Sequence, residues 1–292
     1  MFQKLLKVSA WAAGGLAGLA ALVLAVIWFL GEGKLSQKFA APEVDLVHSK
    51  DAEVLAYGAR LAAIAGCDGC HQKNMQGEIL GELPDGTRLV APNVPRIASK
   101  YTDQELARVL RYGVRPNGKP VLAMPSEAFF SMTDDDLIAI LSHVRATRDE
   151  GGELPKSWIG PMARFMLATG KLSTAPALIK DMSVRPQYDF NNEIERGAYL
   201  ATIACAECHG LDFKGTTFGP DFAPPDLIVA SAYTPEEFSA LMKTGAATGG
   251  RELGLMAEVS RGRLSYFTDE EIAAVYAFLR ERAMNPNLAS AE

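Results

Sequence analysis

All four cysteines of the 292-residue chain lie in two motifs with the same spacing. Each motif consists of two cysteines three positions apart and a histidine directly after the second: Cys67, Cys70 and His71, then Cys205, Cys208 and His209. Two thiols at this spacing can each bond to a vinyl group of a porphyrin, and the histidine is then held under the iron as an axial ligand. The spacing therefore predicts two covalently bound haem c groups.

Two other kinds of site use paired cysteines at this spacing. A redox pair of the thioredoxin type needs no following histidine and normally lies in a βαβ pattern, which this sequence lacks. A structural zinc site could combine both cysteine pairs. It would leave both histidines redundant and would bridge 134 intervening residues. Haem attachment accounts for all six residues, so we favour it.

The surroundings of the motifs repeat with a period of about 132 to 139 residues. Similar apolar segments with helical periodicity, residues 58–65 and 197–204, precede the two motifs. Four later threonines are each followed three residues on by an acid, which predicts a capped helix start: Thr102, Thr133, Thr234 and Thr268. Gly113 and Gly245 are expected to end the middle helix of each copy. Each copy is thus predicted to be mainly α, with loops around the motif.

The sixth ligand of each iron decides what the haem can do. A methionine thioether gives an electron-transferring haem of raised potential, whereas an open position allows chemistry on a bound ligand. Met124 and Met256 each lie between the middle helix and the last capped helix of their copy, and Pro125 stiffens the first of these loops. We expect them to be the sixth ligands. Three other methionines fall at core positions or too close to the motif: Met75, Met132 and Met242.

A ligating histidine usually donates its second ring N–H to a carbonyl oxygen. Pro92 and Pro225 occupy equivalent loop positions in the two copies and are candidates to supply it. The remaining histidines are not expected to bind iron. We expect His48 in solvent, and we expect a packing or surface position for His143 in the last helix of the first copy.

The N-terminal segment contains an uncharged run of 22 residues, Ser9 to Leu30. As a helix this run can cross a hydrocarbon core of about 30 Å. A cleavable signal peptide is the alternative, but no clear cleavage site follows Leu30. We expect a retained single-span anchor. Because haem c is attached on the outer side of the bacterial inner membrane, the N-terminus is predicted to be cytoplasmic and the haem domains periplasmic.

The predicted domain order follows from the repeat and from a segment rich in Gly and Pro between the copies. It is an N-terminal segment 1–30, a periplasmic tether 31–49, a first domain 50–150, a linker 151–186, a second domain 187–286 and a tail 287–292. Within the linker, the apolar segment from Trp158 to Leu167 is expected to pack as a short helix between the domains. A docking surface for another subunit is the alternative.

The net charge of −6 is uneven along the chain, with +1 in residues 1–45, −2 in 46–150 and −5 in 151–292. No basic stripe indicates binding to nucleic acid. An acidic electron carrier would be steered toward partners with a basic face. A solvated surface explains the same charge equally well.

The chain resembles a tandem of two class I cytochrome c domains, over about residues 50–150 and 187–286. The resemblance lies in the two motifs, in Leu122–Pro125 and in the Tyr-Thr-x-x-Glu helix starts. Segments 85–93 and 111–118 are similar to cytochrome subunits of membrane-bound periplasmic dehydrogenases. Those subunits usually carry three haems, whereas this chain has two motifs. The difference leaves the particular partner open.

The resemblance implies a membrane-anchored dihaem cytochrome c without catalytic residues of its own. It would relay single electrons from a dehydrogenase or quinol-oxidising complex to an acceptor such as a terminal oxidase. The alternative is a dihaem enzyme, a peroxidase or a thiosulfate-oxidising cytochrome, with one haem open or unusually ligated. Such an enzyme would lack one methionine ligand or replace it with His or Cys. The sequence leaves open whether the protein is free-standing or a permanent subunit.

Overall fold

The computed structural model describes residues 2–179, 181–217 and 223–285. Residue 286 and the predicted tail 287–292 lie outside the described residues. The fold is mainly helical. The helices are α1 (Phe2–Ser36), α2 (Ala52–Ile64), α3 (Cys67–His71), α4 (Val94–Ala98), α5 (Asp103–Tyr112), α6 (Ser126–Phe129), α7 (Asp134–Ala146), α8 (Pro161–Ala168), α9 (Ala175–Leu178), α10 (Glu193–His209), α11 (Pro235–Thr244), α12 (Leu255–Gly262) and α13 (Asp269–Met284). Short 3₁₀ turns cover Leu227–Ala232, Thr248–Gly250 and Leu264–Tyr266.

In each copy the helix before the motif packs closely against the last helix. A Cβ atom on Gly58 in α2 would lie 1.9 Å from the carbonyl oxygen of Ala139 in α7. A Cβ atom on Gly197 in α10 would lie 2.0 Å from the carbonyl oxygen of Ala274 in α13. Only glycine allows the two backbones to approach this closely. The same helix crossing is therefore built in both halves of the chain.

The predicted helix starts are confirmed, with one instructive difference. Three starts carry a complete capping box, at Thr102, Thr234 and Thr268. Thr133 also caps its helix, by accepting from the backbone N–H of Asp136, but the Asp136 carboxylate does not reach back to Thr133. That carboxylate instead accepts hydrogen bonds from two tyrosine hydroxyls, Tyr57 and Tyr199. The predicted helix ends at Gly113 and Gly245 are both left-handed, with φ of 66° and 79°.

A two-stranded antiparallel hairpin follows the first motif, in a segment that we predicted as an irregular loop. Strands β1 (Glu78–Glu82) and β2 (Arg88–Ala91) pair with Glu78 opposite Ala91. The turn between them contains Gly86 at φ 84° and is stabilised by the Asp85 side chain, which accepts from the backbone N–H of Thr87. Arg88 also exchanges backbone hydrogen bonds with Trp158, at 2.8 and 2.9 Å. The hairpin thus holds the start of the linker.

The N-terminal helix α1 is longer than the predicted span 9–30. Its segment Trp11–Ser36 is long and apolar enough to cross a membrane, judged by length and composition, and none of its most apolar stretch is buried inside the protein. The apolar linker segment was predicted to pack between the two copies. Its helix α8 instead packs mainly against the end of α1, because the lack of a side chain on Gly31 lets the backbone of Arg164 approach.

The segment between α1 and α2, predicted as a tether, packs along the first copy. Val44 and Leu46 are buried there. His48, which we expected in solvent, is half-buried, and its Nδ1 atom lies 2.7 Å from the Asp103 carboxylate. Burial by itself would raise the pKa of Asp103, but hydrogen bonds from His48 and Arg145 outweigh burial and lower the pKa below its ordinary value. The carboxylate that fixes this segment is therefore ionised at neutral pH.

The two copies contact each other through equivalent positions. Arg60 in the first copy forms an ion pair of 2.7 Å with Glu271 in the second. Tyr199, the repeat equivalent of Arg60, donates a hydrogen bond to Asp136, the equivalent of Glu271. Reciprocal contacts of this kind are typical of an interface with two-fold symmetry. The buried apolar residues of both copies form one continuous core, so the copies are packed as a unit.

Candidate functional site

The two motifs occupy similar helical turns, reached by different routes. In the first copy α2 ends before Gly66, whose φ is 77°, and the motif forms the separate short helix α3. In the second copy α10 continues without a break through the motif to His209. Gly66 is the one residue by which the first copy exceeds the second at this point, which explains the break. In both copies the two thiols lie about one helical turn apart.

The motif histidines are oriented in the same way in both copies. Nδ1 of His71 lies 2.9 Å from the carbonyl oxygen of Pro92, and Nδ1 of His209 lies 2.8 Å from the carbonyl oxygen of Pro225. A proton on Nδ1 donated to the carbonyl leaves Nε2 with a free lone pair for a metal. Desolvation by burial lowers the pKa of both histidines, which favours the neutral imidazole that binds iron.

Each loop that follows a motif is held close to its histidine by a glycine. The N–H groups of Gly77 and Gly215 donate to the carbonyl oxygens of His71 and His209, each at 2.9 Å. A Cβ atom on Gly77 or Gly215 would lie 2.4 Å from a backbone carbonyl oxygen beside the proline partner. Both glycines also have positive φ, 78° and 89°. The backbone around each histidine is therefore reproduced in the two copies.

The motif residues have the donor groups that covalent attachment of a porphyrin needs. Burial raises the pKa of the Cys67 and Cys205 thiols to about 12, so burial favours the protonated thiol over the thiolate. In the part of the chain that the structure describes, no three His, Cys, Asp or Glu side chains are grouped to hold a metal ion. Haem brings four nitrogen ligands of its own and needs only the motif residues and a sixth ligand. The residues present fit that group.

The two candidate sixth ligands differ in burial from the methionines that were not expected to bind iron. Met124 follows Ala123, whose φ is 64°, and is separated from the start of α6 by Pro125. Met256 lies in the first turn of α12, where we had predicted a loop. Both are partly exposed and pack against the apolar core. The methionines assigned to the core or rejected as ligands are nearly inaccessible: Met75 at 1%, Met132 at 1% and Met242 at 2%.

Our sequence reasoning missed Arg263 and Glu207. The Arg263 guanidinium forms a 2.9 Å ion pair with Glu207, inside the second motif, and its Nε atom lies 3.4 Å from the carbonyl oxygen of Ile64, three residues before the first motif. A signal was present in the repeat. Phe129 and Leu264 are equivalent, because each accepts the N–H of the residue that precedes a capping threonine. The residue before each is Ala128 in the first copy but Arg263 in the second, so an unmatched charge marks this position.

Comparison with known proteins agrees with the geometry of the second copy. Residues 194–283 match the sequence family described as cytochrome c. This segment includes the second motif, Pro225 and Met256. The chain therefore contains a cytochrome c domain, and a domain of this family implies covalently bound haem c.

Several curated proteins are similar over most of the chain. The fructose dehydrogenase cytochrome subunit of Gluconobacter japonicus is 24% identical over 254 residues, which cover 77% of this chain and 52% of the relative. The alcohol dehydrogenase (quinone) cytochrome c subunit of Gluconacetobacter polyoxogenes is 26% identical over 269 residues, 79% of this chain and 56% of the relative. The corresponding subunit of Gluconobacter oxydans (strain 621H) is 24% identical over 283 residues, 82% of this chain and 57% of the relative. The chain thus spans about half the length of the curated relatives it matches. It is homologous to cytochrome c subunits of quinone dehydrogenases.

Proposed function

We propose that the protein is a membrane-anchored dihaem cytochrome c. It relays single electrons on the periplasmic side of the bacterial inner membrane, between a dehydrogenase or quinol-oxidising complex and a downstream acceptor. The observation that carries the proposal is the reproduction of one arrangement in both copies. In each, a histidine that follows two half-buried cysteines has its Nδ1 atom within hydrogen-bonding distance of a proline carbonyl oxygen, at 2.9 Å and 2.8 Å.

The residue roles in this proposal follow from donor chemistry. Two haem c groups would be held through thioether bonds by Cys67, Cys70, Cys205 and Cys208, with His71 and His209 as iron ligands. Met124 and Met256 would supply soft thioether ligands to the irons, and Pro92 and Pro225 fix the orientation of the histidines. A haem bound in this way supplies one-electron chemistry between ferric and ferrous iron. With all axial positions occupied by side chains, none remains open for a substrate.

We assign two domains to the two copies, residues 50–150 and 187–286, joined by the linker 151–186. The paired glycine crossings of α2 with α7 and of α10 with α13 support this division. The alignments with the dehydrogenase subunits also support it, because they cover 77% to 82% of the chain and so extend over both copies. Packing of the copies into one core would keep the two haems at a fixed separation.

The contacts at the end of α1 support a retained anchor rather than a cleaved leader. The Arg164 guanidinium lies 3.9 Å from the ring centre of Trp28 and forms an ion pair of 2.6 Å with Glu32. A Cβ atom on Gly31 would lie 2.6 Å from the Arg164 carbonyl oxygen. Cleavage after Leu30 would remove Trp28, the aromatic partner of Arg164, and would leave Gly31 and Glu32 at the new N-terminus. The helix end is therefore part of the folded protein in this proposal.

Retention of α1 gives a direct prediction about localisation. The mature protein should keep its N-terminus and remain with membranes after a high-salt wash, because burial of the Trp11–Ser36 segment in lipid does not depend on ionic strength. A variant with a cleavable export signal in place of residues 1–31 should be released as a soluble haem protein. N-terminal sequencing of the mature protein checks the first point. A sequence that begins beyond Leu30 would refute the anchor.

The partner in this proposal is a dehydrogenase. The relatives are named as cytochrome subunits of fructose dehydrogenase and of quinone-dependent alcohol dehydrogenase, and similarity to them supports a place beside such an enzyme. An anchor in the same membrane would raise the effective concentration of the cytochrome near quinone-linked complexes. No role with nucleic acid is proposed.

Reductive titration of the purified protein tests the electron-relay function against the enzyme alternative. We expect uptake of two electrons per chain, in two one-electron steps, because each haem iron accepts one. We also expect no spectral change when cyanide is added to the oxidised protein, because methionine occupies the sixth position of each iron. Rapid cyanide or peroxide binding by one haem would instead favour a dihaem enzyme.

A further inference from the structure

The Arg263 side chain contacts the backbone just before each of the two haem-attachment motifs and one side chain inside the second motif. Its Nη2 atom lies 3.3 Å from the carbonyl oxygen of Ile64, three residues before Cys67. The same atom lies 3.4 Å from the carbonyl oxygen of Ala204, directly before Cys205, and Nη1 donates to Glu207 at 2.9 Å. One guanidinium therefore joins the backbone leading into each motif.

The space for this guanidinium is created by Gly66, the extra residue of the first copy. A Cβ atom on Gly66 would lie 2.2 Å from the guanidinium carbon of Arg263. The Arg263 side chain is only 13% exposed, and its partner Glu207 is 28% exposed. The equivalent position in the first copy is Ala128, so the charge of Arg263 has no counterpart there. Gly66 and Arg263 each lack a counterpart in the other copy, and they lie against each other.

The charge of Arg263 acts on both motifs. Burial dominates the raised pKa of the Cys67 and Cys205 thiols, and the positive charge of Arg263 opposes it at both cysteines. One guanidinium nitrogen lies 3.3 Å from the Ile64 carbonyl oxygen and 3.4 Å from the Ala204 carbonyl oxygen, so the two attachment turns are neighbours. A charge at 13% exposure is screened less by solvent and salt than a surface charge.

We propose that Arg263 is a positioning residue that fixes the two motifs against each other and raises the midpoint potentials of both haems. The inference rests on the proposed dihaem function. Reduction adds one negative charge to each haem, so a nearby guanidinium stabilises the reduced form and the Glu207 carboxylate opposes it. Arginine suits the position because its planar guanidinium donates several hydrogen bonds in fixed directions. A lysine ammonium is a single charged group on a flexible stem and holds its partners less precisely.

Spectroelectrochemical titration of three variants of the full-length protein tests this role. Arg263→Gln removes the charge and leaves Glu207 without its partner, so both midpoint potentials should fall. Arg263→Lys keeps the charge, so it should retain most of both potentials. The matched control is Arg261→Gln, which removes the same charge two residues away. The Arg261 side chain is 49% exposed and has a long ion pair of 3.5 Å with Glu252. This control should shift both potentials much less than Arg263→Gln.

A merely structural role for Arg263 makes different predictions. It would give equal losses of stability in the Gln and Lys variants and no common downward shift of the potentials. If Arg263→Gln shifts the potentials no more than Arg261→Gln does, or shifts one haem alone, the inference is refuted. Should Arg263→Gln fail to fold, Glu207→Gln replaces it and must raise the potential of the second-motif haem. Two covalent haems with unaltered potentials would refute this inference alone, whereas a single haem would refute the dihaem proposal itself.

Discussion

Replacement of Met256 with alanine is expected to lower the midpoint potential of one haem by on the order of a few tenths of a volt. The soft thioether favours reduced iron, and alanine leaves water or an open position in its place. The same haem should become high-spin or water-ligated in the oxidised state. The other haem should change little, because its proposed ligands Cys67, Cys70, His71 and Met124 are intact. Redox titration and the oxidised visible spectrum give the two readouts.

Two matched variants control for effects unrelated to ligation. Met284 in α13 is 64% exposed, so Met284→Ala should leave both potentials unchanged. Met124→Ala should reproduce the loss at the other haem. If Met256→Ala keeps both methionine-to-iron charge-transfer bands, another residue is the sixth ligand of the second iron. The enzyme alternative would then gain support if that iron also bound cyanide in the unaltered protein.

The local structure of this chain was largely predictable from sequence because it depends on short-range rules. A threonine followed by an acid three residues later predicts a helix start, and three of four such pairs form the full capping box. The exception, at Thr133, shows the limit of a local rule. Its acid, Asp136, is used by Tyr199 from the other copy, and no local pattern indicates a partner 63 residues away.

The features that the sequence did not predict are long-range contacts. The packing of α8 against α1 depends on the fit of Arg164 to Gly31, Trp28 and Glu32, which are distant in sequence. The segment 31–49 was expected to be a tether, and the pairing of His48 with Asp103 instead holds it against the first copy. Both follow from side-chain shape and charge in three dimensions. Periodicity along the chain carries no information about either.

The candidate site shows the same division. Spacing alone selected the cysteines and histidines, and the repeat selected Pro92 and Pro225, whose carbonyl oxygens lie within hydrogen-bonding distance of the histidines. The helical position of Met256 was not predicted, because the sequence between α11 and the last helix differs in length from its first-copy equivalent. The repeat marks Arg263 as an unmatched charge, but only its contacts with Glu207 and with the Ile64 carbonyl oxygen show which groups that charge faces. The roles of all these residues in haem binding remain predictions.

The number of covalently bound haems per chain is the most direct test of the central claim. The mass of the denatured, purified protein should exceed that of the polypeptide by two haems, and acidic organic solvent should extract neither, because thioether bonds survive unfolding. The variant Cys205→Ser/Cys208→Ser should lose one covalent haem, and Cys67→Ser/Cys70→Ser should lose the other. A mass increase of a single haem in the unaltered protein, or haem that is extracted by the solvent, would contradict the account.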